Sequence, residues 1–437
     1  MTTTPAPGQC QFATATEVIT PPRPIRLACT GDFASTSTGV HDDQHVRVLA
    51  LQAIGGQVLL WVSYELLFFD RALNRALAEH AHRRYGIDPV HVTVAAVHNH
   101  NAGATCGYNP GAATAEYDAL LVERGIAAID TAMAHLRPGT LELRRTDIDL
   151  NIQRRVVTDG VASAGPNEGA PRDTELVLLT VTDASTSQDD SATLAACVVV
   201  WACHPVFYPE LTTLSGEYPA RLAHLLATDR YGCTPLFFQG AAGDARPRAT
   251  IVDGAFARRG FEVIDQFARQ VGDEVLALLE RPGTPLDLDP TGVEFTVELP
   301  LSTLTVSDYQ ALAASGGPGN PTATNAQLRI DDHASRPEVA TLTCTLVKLS
   351  GPEPVWLATM SGEPCHDIKE LVRAEVPGPV VFIGYTDSTI YVVSDRMIAE
   401  GGYEVSSAVS FGHRGPLQPG VDARISAAFR QAVAVLT

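Results

Sequence analysis

Residues 91 to 104 read HVTVAAVHNHNAGA. The run up to Val97 is mostly apolar, as a buried strand must be, and it ends abruptly in His98, Asn99 and His100 ahead of Gly103. The two histidines are two residues apart, so on a continuing strand both imidazoles project to one face. Neutral imidazole is a common metal ligand, and the stretch therefore reads as a strand delivering two nitrogen donors to a loop. A second run, AACVVVWACHP at 195 to 205, is almost wholly apolar and also ends in a histidine, His204.

Working outward, RVLALQAI and QVLLWVSYEL form two strands around Gly55-Gly56, a hairpin signal. Helical spacing follows from Asp70 to Tyr85 and again from 114 to 136, where Thr114 stands as a cap and Pro138 lies beyond the end. Strands are expected at 140–147 and 175–183, with the polar stretch 159–173 between them as a surface loop. A helix over 217–230 leads to the short strand PLFFQG and the Gly-rich turn AAGDARPR. A long helix from about Phe256 to Leu279 precedes Arg281-Pro282-Gly283. The stretch 315–326 reads as the most flexible part of the interior. Apolar strands at 341–349 and 355–360 carry the chain to Ser361-Gly362-Glu363-Pro364, then come a helix from about Asp367, the strand PVVFIGY and a final helix over 420–436. The pattern predicts an α/β fold of mixed multi-stranded sheets flanked by helices. Residues 1–25, rich in Thr and Pro, are expected to form a loosely held arm, with 26–437 a single domain and a sub-boundary near 281–290.

Of the 437 residues, 31 are Lys or Arg and 50 are Asp or Glu, a formal net charge of -19. That balance opposes binding to nucleic acid or to an anionic membrane surface. The start of the chain has no basic and apolar leader, and no segment approaches the length of a membrane span, so a cytoplasmic protein is expected. Eight cysteines are scattered without a CxxC pair, several in apolar strands, which favours small buried thiols over a disulfide framework.

Several buried strands therefore end in a polar group that is expensive to bury: His98 with His100, His204, Asp244 and Glu363. Strand ends are where α/β folds collect their sites. Two histidines and a carboxylate from distant parts of a chain are a ligand set used by catalytic zinc, though iron or manganese would also accept such donors.

Four ordered segments resemble the neutral/alkaline non-lysosomal ceramidases, zinc amidases that cleave N-acyl-sphingosines. VAAVHNHNAG is similar to that family's ATHTHSGPGG, and FFQGAAGDARPR to its FVQSNLGDVSPN. WACHPVFYPELTTLSGEYP and IYVVSDRMIAEGGYE look like two further family segments. The resemblance spans roughly residues 28 to 437. It implies zinc held by His98, His204, Glu363 and Tyr391, with Tyr385 as the fallback for the fourth ligand. It also implies Arg154 and Tyr403 as donors to the oxyanion. An adjacent unligated His100 would then move protons between water and the leaving amine. Asp244 would orient a ligand histidine or contact substrate, or simply fix its Gly-rich turn.

Two departures stand out. The family's serine in GDVSPN is Arg246 here, which excludes any mechanism needing that hydroxyl and suits a substrate carrying a carboxylate or phosphate. The competing expectation is that Arg246 pairs with one of the chain's many acids. The chain also stops where the family's immunoglobulin-like domain would begin. The expected function is a zinc-dependent amidohydrolase acting on a small soluble amide, with an esterase, lactonase or acyl transferase, or an inactive binding relative, as the alternatives. Oligomeric state, including a homo-oligomer, is left open.

Overall fold

The computed structural model describes residues 6–28, 36–105, 112–184, 193–230, 232–314, 321–331, 335–351, 353–387 and 390–437. Two sheets pack face to face with helices on both outer sides, giving four layers. The first sheet runs in the order Thr234–Gln239, Thr193–Trp201, Glu175–Asp183, Arg137–Asp147, Gln9–Val18, His45–Gln52, Val58–Tyr64 and Val92–Ala96, with Thr284–Pro285 added on Arg137–Asp147. Its outermost pairs at each end are parallel and those between are antiparallel. The second sheet is Pro290–Pro300, Val339–Leu349, Val355–Met360 and Val380–Ile383, so the chain passes from one sheet to the other at about 284–290.

Alternation along each strand explains the layering. Phe12, Leu49, Trp61, Val198 and Phe238 point inward and pack with Val347, Leu357 and Val381 of the second sheet. Their neighbours Ala13, Val48, Leu60 and Val94 face the helices Arg71–Tyr85 and Ala112–Ala134. Leu178, Cys197, Val199 and Trp201 face Glu217–His224 and Phe261–Leu279. The far side of the second sheet is covered by His366–Glu375 and Val421–Leu436. The helix at Arg71–Tyr85 starts where Asp70 accepts from the amides of Ala72 and Leu73 and stops at Gly86 in the left-handed region (φ 71°).

Three expectations are corrected. The supposed loose arm contains Gln9–Val18, an interior strand paired on both edges; its alternation of Gln, Cys, Phe, Ala and Thr outweighs the surrounding Thr and Pro. The stretch expected as a surface loop includes Val161–Asn167, which forms a hairpin with Asn151–Thr158. Within the stretch read as flexible, 315–320 lies outside the described residues, and Pro321–Arg329 is helical. Among the described cysteines, six are free and buried, as expected; Cys29 and Cys106 lie outside the described residues. No helix among the described residues is long and apolar enough to cross a membrane.

Candidate active site

The two edge strands of the first sheet come together at their carboxy-terminal ends, where Gln239 Nε2 donates to Val97 O at 3.1 Å. This closure brings the residues after Ala96, Trp201 and Gln239 to one place. The strand at 92–96 does not continue through the histidines: His98 takes φ 65°, a left-handed conformation rare outside glycine. His98 and His100 reach one cluster because the backbone turns, and not because they share a strand face. Tyr208 and Tyr385 are also left-handed, so three of the six non-glycine residues in this conformation among the described residues lie at or beside the cluster, as strain at functional sites leads one to expect. Asn99, between the histidines, locks the turn by donating to Ser215 O and accepting from the Asn101 amide at 2.9 Å.

His98 Nδ1 lies 3.1 Å from Leu67 O and His204 Nδ1 lies 3.0 Å from Ala242 O. A carbonyl can only accept, so each Nδ1 carries a hydrogen, and in the neutral imidazole each Nε2 offers a lone pair. Those two Nε2 atoms are 2.8 Å apart, and His100 Nε2 is 3.3 Å from that of His98. Glu363 Oε2 stands 3.2 Å from His98 Nε2 and 3.6 Å from His204 Nε2, and both of its oxygens are buried with no hydrogen-bond partner among the described residues. Acceptors facing acceptors in a buried site are costly, and a shared cation would relieve that cost. The donor set fits a metal, and His98, His100 and His204 form a group that could hold one. Burial pushes the pKa of His100 and His204 well below the ordinary histidine range, helped by His98 and by Arg154, which keeps their nitrogens available as ligands.

Glu363 arrives through Gly362, whose φ of 83° and 2.6 Å approach of a would-be Cβ to Ile390 O leave no room for a side chain. Glu363–Pro364 pairs in parallel with Tyr391–Val392, in register Glu363 to Tyr391. Tyr391 therefore stands beside the carboxylate, with its ring stacked 6.4 Å from that of His204. Tyr385 also reaches the cluster, its ring 4.5 Å from that of His98 and its buried hydroxyl unpartnered. Both tyrosines read from the sequence thus meet the histidines.

Arg154 is buried, with its guanidinium 5.3 Å from the Tyr391 ring centroid and 5.6 Å from that of Tyr403. Burial works against its charge, but Tyr391 and Glu404 outweigh that and raise its pKa well above the ordinary value. Tyr403 is 52% exposed and marks the open side. The residue missed from sequence is Glu404. Its Oε1 accepts from Arg154 Nε at 2.8 Å and its Oε2 from Arg155 Nη1 at 2.5 Å. Its adjacency to Tyr403, and the two successive arginines Arg154 and Arg155 in need of a counter-ion, were the available signals.

The expected role of Asp244 at substrate or ligand is not supported by its contacts. It is buried, one oxygen accepting from Gln153 Nε2 at 2.8 Å and the other from the amide of His366 at 3.0 Å, where a helix begins. It braces the Gly-rich turn to that helix. Arg246, by contrast, is half-buried near His100 and Tyr208, and its expected acidic partner is missing: among the described residues no carboxylate pairs with it.

No family model matches the chain, and no curated protein matches it in sequence. Among solved structures it is similar to the neutral ceramidase of Pseudomonas aeruginosa, with a TM-score of 0.74 at 15% identity over 99% of this chain and 75% of that one. A ceramidase complexed with C2 is similar over the same shares, with a TM-score of 0.71 and 15% identity. The four-layer fold of this chain is the neutral ceramidase fold.

Proposed function

We propose that the protein is a zinc-dependent amidohydrolase that cleaves the amide of a small soluble N-acyl substrate. The observation that carries this reading is the convergence of two histidine Nε2 atoms and a carboxylate with no hydrogen-bond partner among the described residues in a buried site. Its similarity to solved ceramidases agrees with amide chemistry. In this reading His98, His204, Glu363 and Tyr391 hold the ion, which when bound would supply Lewis acidity to a water and to the amide carbonyl. His100, less buried than the other two histidines, takes the proton from the attacking water and gives it to the departing amine nitrogen. Its depressed pKa keeps it a base at neutral pH. Arg154, aimed by Glu404, and Tyr403 donate to the tetrahedral oxygen, where one donor is typically worth about 3 kcal/mol of barrier. Arg246 offers a contact for an anionic substrate group.

The test is metal content by elemental analysis on purified protein, wild type beside His204→Ala, followed by a screen of N-acyl amines and N-acyl amino acids. About one zinc per chain, lost in the variant, with amine release by the wild type, is the expected result. No metal bound even after adding zinc would overturn the reading.

A further inference from the structure

Arg246 occupies an unusual electrostatic position. The chain has 19 more acids than bases, and Arg248, two residues on, pairs with both Asp149 and Glu168. Arg246 pairs with no carboxylate among the described residues. Its Nη2 donates to Val206 O at 3.1 Å, its guanidinium lies 4.4 Å over the Phe256 ring, and its buried Nε has no partner. Removing a guanidinium from water without a counter-ion is costly, and it keeps its charge in proteins. Glu217 lies in the same region and its charge acts on Arg246, but among the described residues no ion pair joins the two, and burial pushes the Glu217 carboxyl well above the usual carboxylate range.

The place of Arg246 relative to the cluster matters as much as its missing partner. It follows the Gly-rich turn on Ala245–Pro247, paired with Asn151–Gln153. Ala245 O, one residue before it, accepts from the His204 amide at 3.2 Å, and the His100 ring lies 5.4 Å from that of Tyr208, two residues beyond the Val206 carbonyl that Arg246 holds. Arg154 thus lies against the Tyr391 and Tyr403 rings, where the carbonyl oxygen is to be held, and Arg246 lies on the Val206–Tyr208 side, which His100 faces. We propose that the amine half of the substrate carries a carboxylate bound by Arg246, so that the bond cleaved is the amide of an N-acyl amino acid. The inference rests on the amidohydrolase reading. Water oxygen forms the new bond to the acyl carbon, the C–N bond breaks, and the nitrogen leaves with a proton from His100 as a free amino acid.

Three amides of similar size separate the outcomes in the zinc-loaded full chain: N-hexanoyl-alanine, N-hexanoyl-ethylamine, which lacks only the carboxylate, and N-adipoyl-ethylamine, which carries it on the acyl half. The expected kcat/KM for the alanine amide is about 10- to 100-fold above both others, the range for a charged hydrogen bond. Arg246→Gln should collapse that ratio chiefly through KM, and Arg246→Lys should restore part of it. Equal rates, or preference for the adipoyl amide, would overturn the proposal while leaving the amidohydrolase standing. Should no amide be cleaved, the amidohydrolase reading falls. Calorimetric binding of the alanine and ethylamine compounds then decides the Arg246 assignment: tighter binding of the acid, lost in Arg246→Gln, upholds the carboxylate contact, and equal affinity overturns it.

Discussion

Replacing Glu363 by Gln should have opposite consequences in the metal-free and metal-loaded protein. Without an ion, both Glu363 oxygens are buried with no partner, beside the Nε2 lone pairs of His98 and His204. Leaving a buried acceptor unsatisfied costs about 1–3 kcal/mol, more when it is charged. Glutamine keeps the shape and removes the charge, so the metal-free variant should lie within about 1 kcal/mol of wild type or above it. With zinc at a thousand times its dissociation constant, the wild type gains about 4 kcal/mol. Each tenfold loss of affinity on removing the carboxylate takes away about 1.4 kcal/mol, so a hundredfold loss takes away nearly 3 kcal/mol. The measurement is urea unfolding of both proteins, each with chelator and with zinc. A variant stabilised by zinc as much as the wild type, or one that loses more than about 2 kcal/mol with chelator present, would show that the carboxylate serves the fold and not a cation.

Three further outcomes follow from contacts away from the cluster. Lys369, with 4% of its side chain exposed, donates to both Asp173 oxygens at 2.7 and 2.8 Å, so Lys369→Met should cost about 3–5 kcal/mol in urea unfolding by leaving a buried carboxylate uncompensated. In the same network, burial raises the Glu175 pKa but Lys369 and Arg145 outweigh it and hold it below the usual range. Its contribution is therefore full above the unfolded glutamate value of about 4.3 and is lost as pH falls through the lower folded value, and Glu175→Gln should flatten that acid limb of a stability-pH profile. A Cβ at Gly125 would run into Tyr64 Oη and come within 2.9 Å of Leu77 Cδ2, so Gly125→Ala should cost about 1–3 kcal/mol by the same assay.

The layers of the fold were legible where periodicity was strong. The hairpin around Gly55-Gly56, the helix after Asp70 and the apolar run ending at His204 all stand where their patterns place them. Gln9–Val18 was hidden because Thr and Pro around it suggested a tail, while its role depends on partners at 45–52 and 137–140 that no local pattern can announce. In the site, the cluster histidines and Glu363 were readable as costly groups at strand ends. The left-handed turn at His98 was not, since backbone conformation there is imposed by the clamp from Ser215. Asp244 misled for a related reason: a buried acid in a Gly-rich turn looks the same in sequence whether it faces a ligand or, as here, a helix amide. Arg246 could be noticed as a departure, but its lack of an ion-paired acid among the described residues is a fact of packing alone.

The cluster joins residues 106 positions apart in the first sheet to a carboxylate that follows a strand of the second. No local segment of the unfolded chain can prefigure it, because both sheets must be formed and docked before the donors meet. An ion bound there would hold only the state in which both sheets are formed and docked. It would therefore act as a brake on unfolding, lengthening the lifetime of the native state.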